Sequence, residues 1–165
     1  MQIRPEDFQF VRSLLKQEAA ILLEEGKEYL AESRLGTLAQ REGFSSLTNL
    51  IATLRQTGDL ELQQKVVEAM TTNETYFLRD VHPFDALRKH ILPKLIAARA
   101  AEKRLNLWCA ACATGQEPYS IAMLLREHFP ELASWEVNLH ATDLSREVLA
   151  RAKQGRYTQM EVNRG

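Results

Sequence analysis

Two acidic residues stand where a nucleoside-binding site would need them. Arg104 to Cys109 (Arg-Leu-Asn-Leu-Trp-Cys) alternates apolar and polar residues as a half-buried strand does, then runs into Ala110-Ala111-Cys112-Ala113-Thr114-Gly115-Gln116. Small residues let the backbone approach a ligand at the carboxyl end of a strand. The helix expected to open at Glu117 offers free N–H groups beside them. Asp143 follows a second strand candidate, Glu136 to Thr142, 28 residues after Gly115. In a Rossmann-like fold an acid there reaches the two ribose hydroxyls of an adenosine. One glycine is not the G-x-G-x-x-G of a pyrophosphate site, and Glu117 at a helix start repels phosphate. A carboxylate there suits an ammonium or a sulfonium, and S-adenosylmethionine carries both with no phosphate. Each acid also has a plainer role available: Asp143 as a helix cap near Ser145, Glu117 as a complement to the helix dipole.

Other chemistries are thinner. Cys109 and Cys112 have the Cys-x-x-Cys spacing of redox sites and of half a zinc site. Yet no second pair exists, Cys109 falls inside the strand, and His82, His90, His128 and His140 show no paired ligand spacing. No metal site is expected, and no Ser–His–Asp constellation is visible. Thr71-Thr72-Asn73-Glu74-Thr75-Tyr76-Phe77-Leu78-Arg79-Asp80 is dense in hydrogen-bonding side chains, which a helix-to-loop joint would also explain. His82 reads as a turn residue. Trp108 and Tyr119 occupy positions that read as core or helix surface, although either ring could stack on a base.

These residues need elements to hold them. After the first strand, Glu117 to Phe129 reads as a helix closed by Pro130. After the second, whose Val137, Leu139 and Ala141 share a side, Ser145 caps a helix running to Gly155. Strand, helix, strand, helix is the signature of a parallel α/β sheet. A helix from Pro83 to about Glu102, bent at Pro93, precedes it. Two strands are few for a doubly wound sheet. The expectation is therefore a piece of a larger protein, with an open sheet edge prone to self-association. Residues 1–70 read instead as four amphipathic helices. The first runs from Pro5 to Gly26 with Phe8, Val11, Leu14, Leu15 and Leu22 as its stripe. The second carries Tyr29, Leu30, Leu35 and Leu38 and ends near Gly43. The third is capped at Ser45 or Ser46 and stopped by Gly58, and the fourth spans about Asp59 to Met70. The predicted fold is thus α/β, with an all-α helical bundle over 1–70 and the first half of a Rossmann-like domain, an incomplete parallel sheet, over 71–165.

Charge and composition exclude other classes. The chain has 165 residues and 21 basic against 22 acidic side chains, so no strong field is available to hold nucleic acid or an anionic membrane. The charge is uneven: 8 Lys/Arg against 11 Asp/Glu over 1–70, and 13 against 11 over 71–165. No apolar run approaches the roughly 20 residues needed to span a bilayer. Met1 to Phe10 lacks a signal-like apolar core, and two cysteines make no disulfide framework. A cytoplasmic location is expected.

Three ordered stretches resemble the CheR-type chemotaxis receptor methyltransferases: Met70 to Asp80, Trp108 to Met123, and Ala141 to Ser145 with Ala152 to Tyr157. The resemblance spans the whole chain, because that family also begins with a small helical domain. It implies transfer of a methyl group from S-adenosylmethionine to glutamate side chains of chemoreceptor cytoplasmic domains, leaving S-adenosylhomocysteine. It further implies that Asn73, Thr75, Arg79, Glu117 and Asp143 contact the cofactor, Asp143 at the ribose and Glu117 at the methionine end. Arg79 would pair with the cofactor carboxylate or orient groups near the transferring methyl. Where the family most often has serine in the glycine loop, this chain has Ala113. A module that binds S-adenosylmethionine or docks receptors without turnover remains a second reading, and a nucleotide-binding or dehydrogenase fragment a third.

Overall fold

A computed structural model describes residues 3–165. They form two compact units, one ending at Thr72 and the other comprising Asn73–Gly165.

The first unit is helical: α1 (Pro5–Ala19), α2 (Glu28–Arg41), α3 (Leu47–Thr57) and α4 (Leu60–Met70). Pro5 sits in the first turn of α1, where its missing N–H costs nothing, and Glu6 and Asp7 face the positive end of the dipole. Ser46 caps α3 through Asn49 N–H, and Asp59 caps α4 through the amides of Glu61 and Leu62. Phe8, Val11, Leu15, Leu35, Leu50, Ile51, Leu54 and Val66 meet in one core. Each large side chain buried there contributes about 1.5–3 kcal/mol. Buried Asp7 is neutralised on both oxygens, by Arg4 Nε at 2.8 Å and Arg55 Nη2 at 3.2 Å.

The first helix is shorter than its apolar stripe predicts. Ala20 turns left-handed (φ 54°) and donates back to Lys16 O, ending α1 at Ala19, short of the predicted Gly26. Beyond it the chain is irregular, and burial alternates from residue to residue. Leu23 is buried and Ile21 packs on the core, while Leu22 is 75% exposed.

The second unit opens with α5 (His82–Ala86), a π-helical turn (Leu87–Ile91) and α6 (Leu92–Ala98). The bend expected at Pro93 is resolved as this wider turn. Leu92 N–H reaches back five residues to Leu87 O, a register that accommodates the following proline, which has no N–H. The helix stops at Ala98, short of the predicted Glu102.

Strands β1 (Arg104–Ala110) and β2 (Glu136–Thr142) pair in parallel, Arg104 opposite Glu136 and Ala110 opposite Thr142. The crossover holds α7 (Gln116–His128) and a 3-10 turn (Pro130–Ser134). On one sheet face Leu105, Leu107 and Val137 pack with Ile121, Leu124, Leu125 and Phe129, and with Phe84 and Leu92. The other face is lined by cross-strand polar pairs: Arg104 with Glu136 at 2.7 Å, and Asn138 Nδ2 to Asn106 Oδ1 at 3.1 Å. Trp108 lies on this polar face, 74% exposed, its indole N–H donating to Thr142 Oγ1. It is therefore not the core residue its strand position suggests. Ser145 caps α8 (Arg146–Gln154), which ends at left-handed Gly155. A capping box of Thr158 and Glu161 starts α9 (Gln159–Val162). Strand, helix, strand, helix in parallel register is the arrangement of a Rossmann-like half, and the sheet has two strands among the described residues.

Candidate functional site

The site is built where β1 ends. Ala111 (φ 57°), Ala113 (φ 46°) and Gly115 (φ 97°) all lie in the left-handed region, so the loop doubles back on itself between β1 and α7. Two of these are alanines, which hold that conformation at a cost of order 1–3 kcal/mol each. The loop is tied down by Cys112 N–H to Thr142 O at 2.9 Å and by Ala113 N–H to Asp143 Oδ2 at 2.8 Å. Gly115 has a reason beyond its φ. A methyl group there would come within 2.8 Å of Tyr157 Oη and 2.9 Å of Ala152 Cβ. The close approach this glycine permits is made by the chain's own α8 end. On the outer side, Ala110 and Ala111 are exposed and leave the loop backbone open.

Of the two predicted carboxylates, Asp143 bonds this loop and Glu117 bonds the strand that leads into it. Asp143 is half-buried at the end of β2. Its Oδ2 accepts from Ala113 N–H and its Oδ1 from Ser145 N–H at 2.9 Å. Asp143 and Ser145 thus divide the work at this corner: the hydroxyl of Ser145 caps α8, and Asp143 braces the glycine loop. Each oxygen of Asp143 keeps a second lone pair. Glu117 lies in the first turn of α7, exposed, and its Oε1 accepts the Cys109 thiol at 2.9 Å. Burial, then the Glu117 carboxylate, push the Cys109 thiol well up; burial and Asp143 push Cys112 up as well. Both cysteines are free and buried. Both shifts disfavour the thiolate, the form that attacks in redox exchange.

The stretch after Asn73 approaches the same loop by another route. Leu78 N–H donates to Ser120 Oγ at 3.0 Å, and Ser120 in turn donates to Gln116 O at 2.7 Å. Phe77 stands edge-on to Tyr157, with ring centroids 5.0 Å apart, and Tyr119 stands edge-on to Tyr157 at 5.8 Å. The Tyr157 hydroxyl donates to Thr114 O at 2.7 Å. Burial, then Tyr119, push its pKa up to about 12, so it remains a donor throughout the neutral range. One ring therefore joins the 73–80 stretch, the glycine loop and the end of α8.

Arg79 is held within its own turn. Its Nη1 donates to Glu74 O at 2.6 Å, its Nε lies 3.8 Å from Asp80, and its guanidinium covers the Tyr76 ring at 5.5 Å. Arg164 covers the same ring at 5.3 Å and bonds Glu74 Oε1 at 2.7 Å. Asn73 and Thr75 are half-buried in the same irregular stretch. The polar groups suit a cationic, phosphate-free adenosine ligand: Asp143 and Glu117 both stand at the end of β1, and residues 110–117 hold no basic side chain.

Sequence comparison decides the family. The family model described as CheR methyltransferase, SAM binding domain, matches residues 73–164, and that described as CheR methyltransferase, all-alpha domain, matches residues 6–71. The chain belongs to the CheR methyltransferase family. It is 41% identical over 163 residues to Chemotaxis protein methyltransferase 1 of Pseudomonas aeruginosa, covering 96% of this chain and 58% of that protein. Chemotaxis protein methyltransferase Cher2 of Pseudomonas putida is 39% identical over the same coverage. The chemotaxis protein methyltransferase of Borreliella burgdorferi is 37% identical over 146 residues, 86% of this chain and 51% of that protein. The chain thus spans a little over half the length of these relatives.

Within this CheR-family chain, the sequence pattern points to the two carboxylates and the glycine run as candidates but not to the contacts around them, which are made by Tyr157, Ser120 and Cys109. No pattern in the sequence marks Cys109 as the partner of Glu117.

Proposed function

We propose that this chain is the cofactor-binding portion of a protein-glutamate O-methyltransferase acting on chemoreceptors. In this reading 1–70 is the helical domain and 71–165 is part of the methyltransferase domain. The observation that carries it is that two carboxylates, Glu117 and Asp143, stand at the carboxyl end of β1 beside a run, residues 110–116, that has no basic side chain. Membership of the CheR family and the printed names of the relatives support the same reading.

S-adenosylmethionine, when bound, supplies an electrophilic methyl group on a sulfonium. Asp143 would hold the ribose hydroxyls and Glu117 the ammonium. Asn73 and Thr75 would contact the cofactor from the 73–80 stretch, and Arg79 would hold a carboxylate through its planar fork. A receptor glutamate has a reference pKa near 4.3 and is ionised at pH 7. The chain therefore needs no general base, and its task reduces to alignment and exclusion of water.

Calorimetric titration with S-adenosylhomocysteine, the expected product, tests the binding half. One site per chain is expected, with NAD giving no heat. Incubation with labelled cofactor and a chemoreceptor cytoplasmic domain tests the transfer half, the expected outcome being base-labile methyl esters. Binding without ester would make the chain a cofactor-binding or receptor-docking module. A folded chain that prefers NAD would sink the proposal.

A further inference from the structure

Glu117 is the least anchored of the acids at the site. It projects from the first turn of α7 and is exposed, so on its own it would sample several rotamers. One bond restrains it. Cys109 is 2% exposed, projects from β1, and donates its thiol to Glu117 Oε1 at 2.9 Å. We infer that Cys109 is a positioning residue: its buried thiol fixes the Glu117 carboxylate so that the second oxygen is presented to the ammonium of the bound cofactor. The inference rests on the assignment of Glu117 to the methionine end.

The residue type fits the task. A thiol is a weak donor that is cheap to bury, so it can sit in the packed interior and still orient an anion. Burial and the adjacent carboxylate both keep the proton on sulfur, so the donor persists across the neutral range. A carboxylate held in one rotamer before the ligand arrives has less freedom to lose on binding. Cys112, the other buried thiol, points elsewhere, its sulfur 3.7 Å from Ala113 O.

Two measurements test this. The first compares S-adenosylhomocysteine with 5′-methylthioadenosine, which has the same nucleoside and thioether but no amino-acid end. Cys109→Ala is expected to weaken the first ligand about three- to tenfold, the range for releasing one restrained side chain, and to leave the second unchanged. Cys109→Ser, which keeps a donor, should restore most of the difference. Equal losses for both ligands would mean general damage to the loop and overturn the inference, as would no loss for either. Glu117→Ala separates the two levels. If it fails to discriminate between the ligands, the assignment of Glu117 is wrong and the inference falls with it. If it discriminates and Cys109→Ala does not, only the role of Cys109 is wrong. The second measurement needs no ligand. In Cys112→Ser protein the S–H stretching band belongs to Cys109 alone. It should lie at the low frequency of a hydrogen-bonded thiol and rise in Glu117→Ala; a band that does not move would show that the pair is not formed.

Discussion

Asp143→Ala is expected to lose S-adenosylhomocysteine binding by well over tenfold and to destabilise residues 73–165 by about 2–4 kcal/mol. The two losses have different origins. Binding suffers because the acceptor proposed for the ribose is gone. Stability suffers because the same carboxylate takes the amides of Ala113 and Ser145, and hydrogen bonds to a charged acceptor contribute about 1.5–3 kcal/mol. Ala113 also sits at a φ that alanine dislikes, and its amide bond to Asp143 helps to keep it there. Adding Ala113→Gly to the variant should therefore recover part of the stability without recovering the binding, because glycine adopts that φ freely. Denaturant unfolding read beside calorimetry separates the two. A variant that binds as the parent does would remove Asp143 from the site, and one that is as stable as the parent would remove it from the loop.

Gly115→Ala is expected to disturb the fold by a steric route. The added methyl meets Tyr157 Oη at 2.8 Å and Ala152 Cβ at 2.9 Å, both shorter than side chains tolerate, and φ is +97°. A cost of about 2–4 kcal/mol is expected from strain and displacement together. The displaced group is the one that matters. Tyr157 Oη would leave Thr114 O, and with it would go the ring on which Phe77 stands edge-on. Tyr157→Phe in the same background removes one of the two clashing atoms and should recover a minority of the loss, Ala152 accounting for the rest. Loss of near-ultraviolet tyrosine signal at unchanged helix content would mark the site as the region disturbed. An unperturbed Gly115→Ala protein would show that the loop relaxes without Tyr157.

Much of the architecture was legible because local rules and tertiary packing agree along most of the chain. Period-two residues in 104–110 and 136–142 became paired strands in register, and Ser46, Asp59 and Ser145 capped the helices they precede. The failures have physical causes. Leu22 fits a helical stripe, but Ala20 in the left-handed region ends the helix before it, and nothing in an alanine announces that conformation. Trp108 reads as core because bulky strand residues usually are; it belongs to the face that carries the polar cross-strand pairs. Although first-turn acids also open α1, α2, α4 and α8, Asp143 and Glu117 were legible as candidates through their place after the second strand and after the glycine run. Their partners, an alanine amide and a buried thiol, are groups any sequence offers everywhere, and only the backbone path selects them.

The register of the sheet sets an order of events in folding. Every residue of β1 faces one 32 positions later, from Arg104 with Glu136 to Ala110 with Thr142, so no ladder bond is local. Closing a flexible loop of that length costs about 3 kcal/mol in chain entropy beyond a constant, before any strand bond repays it. The segment that lowers this cost is α7, which folds most of the intervening chain into a short rod through contacts close in sequence. Helix formation there shortens the gap that strand pairing must close. The β1–α7 loop, with its left-handed alanines and its ties to Thr142 and Asp143, can hold its shape only when both strands are in place.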